Sequence, residues 1–294
     1  MKNRVIAVIL IIFFLCEVDI QSTNVRSERR VFRAEAVVEA ATGVKIHSEK
    51  ELIATISTAL LNRKEKLTVK YSLPDYELDF DQLFDNVLAI DKKSTAKDGD
   101  YLAFSLSSWA AQAEMIGSNT TLNFEFTYKT SLKEEQALDS KIKGALQALE
   151  LEKASQEQKV KAIHDYIIKR ISYDSTLQKA SAYEAMMDQS AVCEGYSMLA
   201  YRMFTEAGLE SRIISGTGDG VAHAWNIVKV EGKWYNIDLT WDDPISSDGE
   251  PMLTYDYYLK NTKEFKDHKR DAKYKTEKFL KAYPISKTSY LSVE

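Results

Sequence analysis

Cys193, His223 and Asp238 are the residues of this chain whose types and order could together open an amide bond. In such chemistry a thiolate attacks the carbonyl carbon, an imidazole moves the protons, and a carboxylate holds the ring in one tautomer. Tyr196, Leu199, Ala200, Met203, Phe204 and Ala207 recur at helical spacing and Gly208 is a stop signal, so Cys193 falls at or just before a helix N-terminus. There the unpaired N–H groups and the positive end of the helix dipole favour a thiolate.

The elements that must position the other two are strands. Residues 211–215, 223–230 and 233–240 read as strands, with Glu231-Gly232 as a two-residue hairpin turn between the last two. Val230 then faces Lys233 and His223 faces Thr240, with Asp238 one same-face step away. Such diagonal neighbours lie about 7–8 Å apart at the backbone, within reach of an aspartate–imidazole hydrogen bond. Gly216, Gly218 and Gly220 alternate just upstream, but no helix is expected to follow them, so they read as a loop and not as a dinucleotide fingerprint.

The motifs Ala191-Val192-Cys193-Glu194-Gly195-Tyr196, His223-Ala224-Trp225-Asn226 and Trp234-Tyr235-Asn236-Ile237-Asp238-Leu239-Thr240-Trp241-Asp242-Asp243-Pro244 resemble the transglutaminase-like superfamily of papain-type cysteine enzymes, in particular bacterial secreted transglutaminase-domain proteins. Lys161-Ala162-Ile163-His164-Asp165-Tyr166-Ile167 and Ser172-Tyr173-Asp174 resemble the stretch that precedes the nucleophile there. The resemblance covers roughly residues 150–260. It implies a thiol nucleophile at Cys193, a base at His223 and an orienting acid at Asp238. Glu194 stands where the cross-linking enzymes carry an aromatic residue, and nothing reads as a calcium loop, departures that touch cross-linking more than the thiol site. The Cys193 N–H is a natural oxyanion donor, Tyr183 and Gln189 are side-chain candidates, and Trp241 is a candidate for stacking on substrate. His164, on a charged helix beside Asp165, reads as solvated or locally bonded, His47 and His268 among charges as surface, Asp242 and Asp243 as a turn, and the Lys/Glu-rich stretch 260–281 as a solvated helix or loop.

Ahead of this half, Ser48-Glu49-Lys50-Glu51 opens a helix as a capping box, residues 66–71 read as a strand, and Leu122, Phe124, Phe126 and Tyr128 alternate as in a half-buried strand. They predict a small α+β domain over residues 30–149, closed by a charged helix over 132–149, before a transglutaminase-like domain over 150–294. The expected fold is therefore α+β, a papain-like core with the nucleophile helix packed on an antiparallel sheet.

Composition narrows the partners. The 294 residues hold 39 basic against 44 acidic side chains, a net charge of −5, which leaves no basic footprint for nucleic acid. Two cysteines cannot build a disulfide framework or a four-thiolate zinc site, and the chemistry calls for no cofactor or metal. One of them, Cys16, ends an apolar run over residues 5–16 behind Lys2 and Arg4, the pattern of a signal peptide or N-terminal anchor over 1–22, with lipidation at Cys16 a lesser alternative. The membrane is touched only through that leader, and the body works outside the cytoplasm, secreted or at the cell surface. The expected function is acyl transfer from an amide of a protein or peptide substrate, to water as a peptidase or to an amine as a cross-linking enzyme. The alternative is a catalytically silent binding or scaffold module of the same fold.

Overall fold

Val69 and Tyr71 turn inward on one segment, and Leu122, Phe124 and Phe126 on another; the two segments pair as antiparallel strands. The computed structural model describes residues 11–14, 44–71, 78–92, 95–116, 119–244 and 252–290, which fall into two units, Met1–Val87 with Ser107–Thr127 and Leu88–Leu106 with Tyr128–Glu294. The first unit holds a sheet of order β1-β4-β5-β3-β2, formed by β1 Ile11–Phe14, β2 Val44–Ile46, β3 Lys66–Tyr71, β4 Leu106–Ile116 and β5 Asn119–Tyr128. Helices α1 Glu49–Leu61 and α2 Phe80–Leu88 accompany it, and the Ser48 hydroxyl caps α1 by accepting from the Glu51 N–H. The expected leader lies outside the described residues except for Ile11–Phe14, which pair with residues 108–111 of β4.

The second unit is built around one helix. Its elements are α3 Gly99–Ser105, α4 Leu132–Ala148, α5 Gln156–Ile168, β6 Ser172–Tyr173, α6 Ala182–Met187, β7 Ser190–Ala191, α7 Cys193–Glu206, β8 Ser211–Gly218, β9 Val221–Val230, β10 Lys233–Ile237, β11 His268–Arg270 and α8 Glu277–Ala282. Every side chain of α7 from Cys193 to Phe204 is buried. The sheet of order β10-β9-β8-β11 is antiparallel throughout. Its strands alternate: Ile213, Ala224 and Val228 share the core with α7, while Ile214, Trp225 and Ile227 join Phe265 and Tyr274 in a second apolar cluster. Capping boxes at Ser131, Ser155 and Ser181 start α4, α5 and α6. The helix that closes the first domain in the sequence reading, α4, lies in the second unit, because its stripe of Leu138, Ile142 and Ala145 belongs to the α7 core. Residues 88–106 lie in that unit as well.

Two sequence expectations about this unit change. Gly216 and Gly218 lie in β8 and not in a loop. A Cβ on Gly216 would stand 2.1 Å from the Lys269 carbonyl oxygen of β11, so the bare glycine is what admits that strand. The stretch 260–281 is not solvated throughout, since it buries Phe265 and Tyr274 against the sheet and contributes β11.

Candidate active site

The hairpin turn fixes the register of the site. Glu231 and Gly232 have φ of 50° and 79°, the left-handed pair that a tight two-residue turn requires, and Val230 pairs with Lys233. That register carries His223 to Asp238: Nε2 of the ring lies 2.6 Å from Asp238 Oδ2. Cys193 lies close enough to His223 to influence its ionisation, and with Nε2 engaged Nδ1 is the ring nitrogen left for the thiol. Cys193 is the first residue of α7, buried and free of any disulfide. The structure therefore brings Cys193, His223 and Asp238 together in one chain of contacts.

Electrostatics follow from the burial. Burial alone would lower the His223 pKa, but the charge and hydrogen bond of Asp238, and then the neighbouring Cys193, push it up to about 10. Burial opposes ionisation of Asp238, yet His223 and then His268 hold its carboxyl far below the usual carboxylate range. Its other oxygen, Oδ1, accepts the backbone N–H groups of Thr240 at 2.9 Å and Trp241 at 3.2 Å. A buried carboxylate with four donors is a fixed point for the imidazole.

One of those donors is a correction to the sequence reading. His268 is not a surface residue; its side chain is 1% exposed and its Nε2 lies 2.9 Å from Asp238 Oδ2. Nothing in Lys266-Asp267-His268-Lys269 signals an inward side chain, because the burial comes from β8, with His268 paired to Gly218. His223, Asp238 and His268 also offer ligand atoms within 4.8 Å of one another, the one such group among the described residues, and hydrogen bonds to Asp238 join both rings.

His164 is buried completely, and of the two readings the local bond holds: Asp165 Oδ1 lies at 3.1 Å from its ring, with Asp242 Oδ2 at 3.0 Å on the other nitrogen. Asp242 also accepts the Tyr257 N–H at 2.8 Å, and Asp243 lies 2.6 Å from the Tyr196 hydroxyl, so the Asp242-Asp243 turn ties α5 and α7 to the loop after β10. Glu194, buried beside the thiol, pairs with Lys129; burial pushes its carboxyl up against the pull of that lysine.

The remaining candidates divide. Trp241 packs on the site, its ring centroid 5.4 Å from that of His223 and 4.4 Å from that of His268, and a Cβ on Gly218 would stand 2.7 Å from its ring. Tyr183 is half-buried on α6 against the core, and Gln189 is exposed at a φ of 55°. Neither side chain makes a polar contact with Cys193, His223 or Asp238 among the described residues. Tyr173, which the sequence motifs include without giving it a role, is closer: burial, then the Cys193 sulfur, push its phenol up. β6 places it there by pairing Tyr173 with Ala191, two residues before the thiol.

A helix that starts at a cysteine, packed on an antiparallel sheet that presents histidine and aspartate, defines a papain-type core. Residues 144–239 match the model of the Transglutaminase-like superfamily, so this stretch carries the likeness to that superfamily. Kyphoscoliosis peptidase of Homo sapiens is 27% identical over 169 residues, which take in 50% of this chain and 25% of the relative. The Mus musculus protein of that name is 28% identical over 118 residues, 34% of this chain and 18% of the relative. The matches thus span a quarter or less of those proteins' own length. A crystal structure of a TGase aligns over 67% of this chain and 59% of its own at 20% identity, with a TM-score of 0.35.

Proposed function

We propose that the domain is a thiol enzyme that takes an acyl group from an amide of a protein or peptide, with Cys193 as nucleophile, His223 as acid and base, and Asp238 as the group that orients His223. The observation that carries this reading is the buried hydrogen bond from His223 Nε2 to Asp238, with Cys193 at the start of α7 close enough to His223 to raise its pKa. A protonated His223 stabilises a thiolate facing it. The sulfur forms a bond to the carbonyl carbon, and the carbonyl oxygen takes up the electron pair next to the Cys193 N–H, which as a first-turn amide has no acceptor within the helix. Collapse of that intermediate breaks the C–N bond, and His223 Nδ1 gives its proton to the leaving amine. Water then loses a proton to His223 and displaces the thiol from the thioester, releasing a carboxylate. An amine in place of water would make the product a new amide.

Hydrolysis is the favoured branch. Glu194 follows the nucleophile as a buried ion-pair partner of Lys129, and the curated relatives bear the name peptidase. The apolar leader supports export of the body to an extracytoplasmic location. Iodoacetamide near pH 6, with the modified cysteine identified by peptide mapping, tests the thiol: Cys193 should be alkylated roughly tenfold or more faster than a free thiol peptide, and His223→Ala should remove the advantage. Alkylation of Cys193 no faster than the free peptide would sink the enzymatic reading. Incubation with casein and a fluorescent amine separates the branches, since cleavage without labelling supports hydrolysis and Cys193-dependent labelling supports cross-linking.

A further inference from the structure

Beneath the segment that follows the site lies a second cavity that the thiol chemistry does not use. It has a volume of about 440 Å³, and Trp225, Phe265 and Tyr274 supply its aromatic wall, with Leu280 and Ile285 also lining it. That volume is in the range of pockets that enclose small molecules.

The polar side of this cavity has one sign. Lys269, Arg270 and Lys275 line it, and no carboxylate does, in a chain where acidic side chains outnumber basic ones by 44 to 39. Arg270 is half-buried; it donates to the Asn236 side-chain oxygen at 2.9 Å, and among the described residues it pairs with no Asp or Glu. Burial pulls its guanidinium down to about 10, with only Tyr274 acting the other way. Desolvating a guanidinium without a counter-ion is costly, and its planar fork matches an oxyanion. One more buried donor of a lining residue, Trp225 Nε1, has no hydrogen-bond partner. The site is thus short of an anion with hydrogen-bonding oxygens and has aromatic surface for an apolar body.

We propose that this cavity binds a small organic carboxylate, with its oxygens on Arg270 and its ring or branched aliphatic body against Trp225, Phe265 and Tyr274. A monoanion fits better than a phosphate, because one sunken cation balances one charge and the two lysines at the exposed rim remain hydrated. The site is independent of the thiol reading, although His268 lines this cavity and also holds Asp238.

Full-length protein is titrated at constant ionic strength with 3-phenylpropionate, 4-methylpentanoate and indole-3-acetate, and with 3-phenylpropanamide as the uncharged match. Binding is read by calorimetry and by the shift in melting temperature. At least one carboxylate should bind saturably with a rise of a few degrees, and the amide should bind at least ten times more weakly. Arg270→Gln should remove most of the binding. Lys275→Glu, an exposed substitution that leaves the fold alone, should weaken it several-fold, and this variant decides the matter if Arg270→Gln does not fold. Cys193→Ala should bind as the wild type does. Failure of all three carboxylates, equal binding of acid and amide, indifference to Lys275→Glu, or loss of binding in Cys193→Ala would each overturn the proposal, the last by moving the ligand to the thiol cleft.

Discussion

In the first unit Phe84 stacks on Trp109 with ring centroids 3.6 Å apart, Phe124 and Phe126 stack beside them, and Ser57 is the buried polar residue among those described. In the second unit Asp238, His164, Asp242, Glu194 and Arg202 are all buried, each tied to a partner of opposite charge or to a ring nitrogen. An apolar core is the low-cost way to hold a sheet, whereas each buried ion adds a desolvation cost that its partner only offsets. Of these groups Asp238 acts on the thiol through His223 and Glu194 adjoins it in α7, so part of the second unit's buried charge positions chemistry, whereas the first core only holds the chain together.

Asp238→Asn strikes at the centre of that contrast. It keeps the shape of the side chain while removing the charge that raises His223, so the rate of Cys193 alkylation at pH 6 should fall about 10²- to 10⁴-fold with the fold retained. Stability should change its pH dependence as well. The pKa of His223 in the folded protein, about 10, lies above its unfolded value of about 6.5. The contribution to stability is therefore complete below pH 6.5 and is lost as the pH rises toward 10. Melting curves of the wild type should show this decline, and curves of Asp238→Asn should show much less of it. An equal decline in both would mean that the Asp238 charge does not govern His223.

A smaller effect is expected at His268, which is a positioning residue acting through Asp238. His268→Ala removes one donor from Asp238 Oδ2 and should lower the alkylation rate about tenfold, in keeping with other second partners of a fixed ligand. His268→Gln can still donate and should restore most of the rate. The apparent pKa of His223 should shift in the alanine variant and return in the glutamine variant, which a loss of packing alone would not do.

What could be read in advance follows the same division. The turn at Glu231-Gly232, the start of α7 at Cys193 and the approach of His223 to Asp238 are legible because each depends on a few adjacent residues and on the two-residue period of a strand. His268 is hidden for the opposite reason: its neighbours are charged, and a strand fifty residues earlier supplies the burial. Gly216 and Gly218 read as loop residues by propensity, but they serve as the thin places in β8 that let β11 and Trp241 approach. The border between the units is obscured in a similar way, since the stripe on α4 shows that it packs without showing against what. Motif and turn are local properties, and burial of charge is not.

The first unit supplies the test in which nothing should happen to the chemistry. Phe84→Ala removes a ring that stacks on Trp109 and meets Phe124 and Phe126 at centroid distances of 6.2 and 6.0 Å. Truncation of such a ring should destabilise the unit by about 3–5 kcal/mol, the sum of lost transfer energy and an unfilled cavity, and denaturant melts would register it. The alkylation rate of Cys193, taken per folded molecule at pH 6, should stay within about twofold of the wild type, since no buried charge has moved. A tenfold drop in that rate with the second unit still folded would break the comparison, because it would mean that the apolar core also sets the geometry of the thiol.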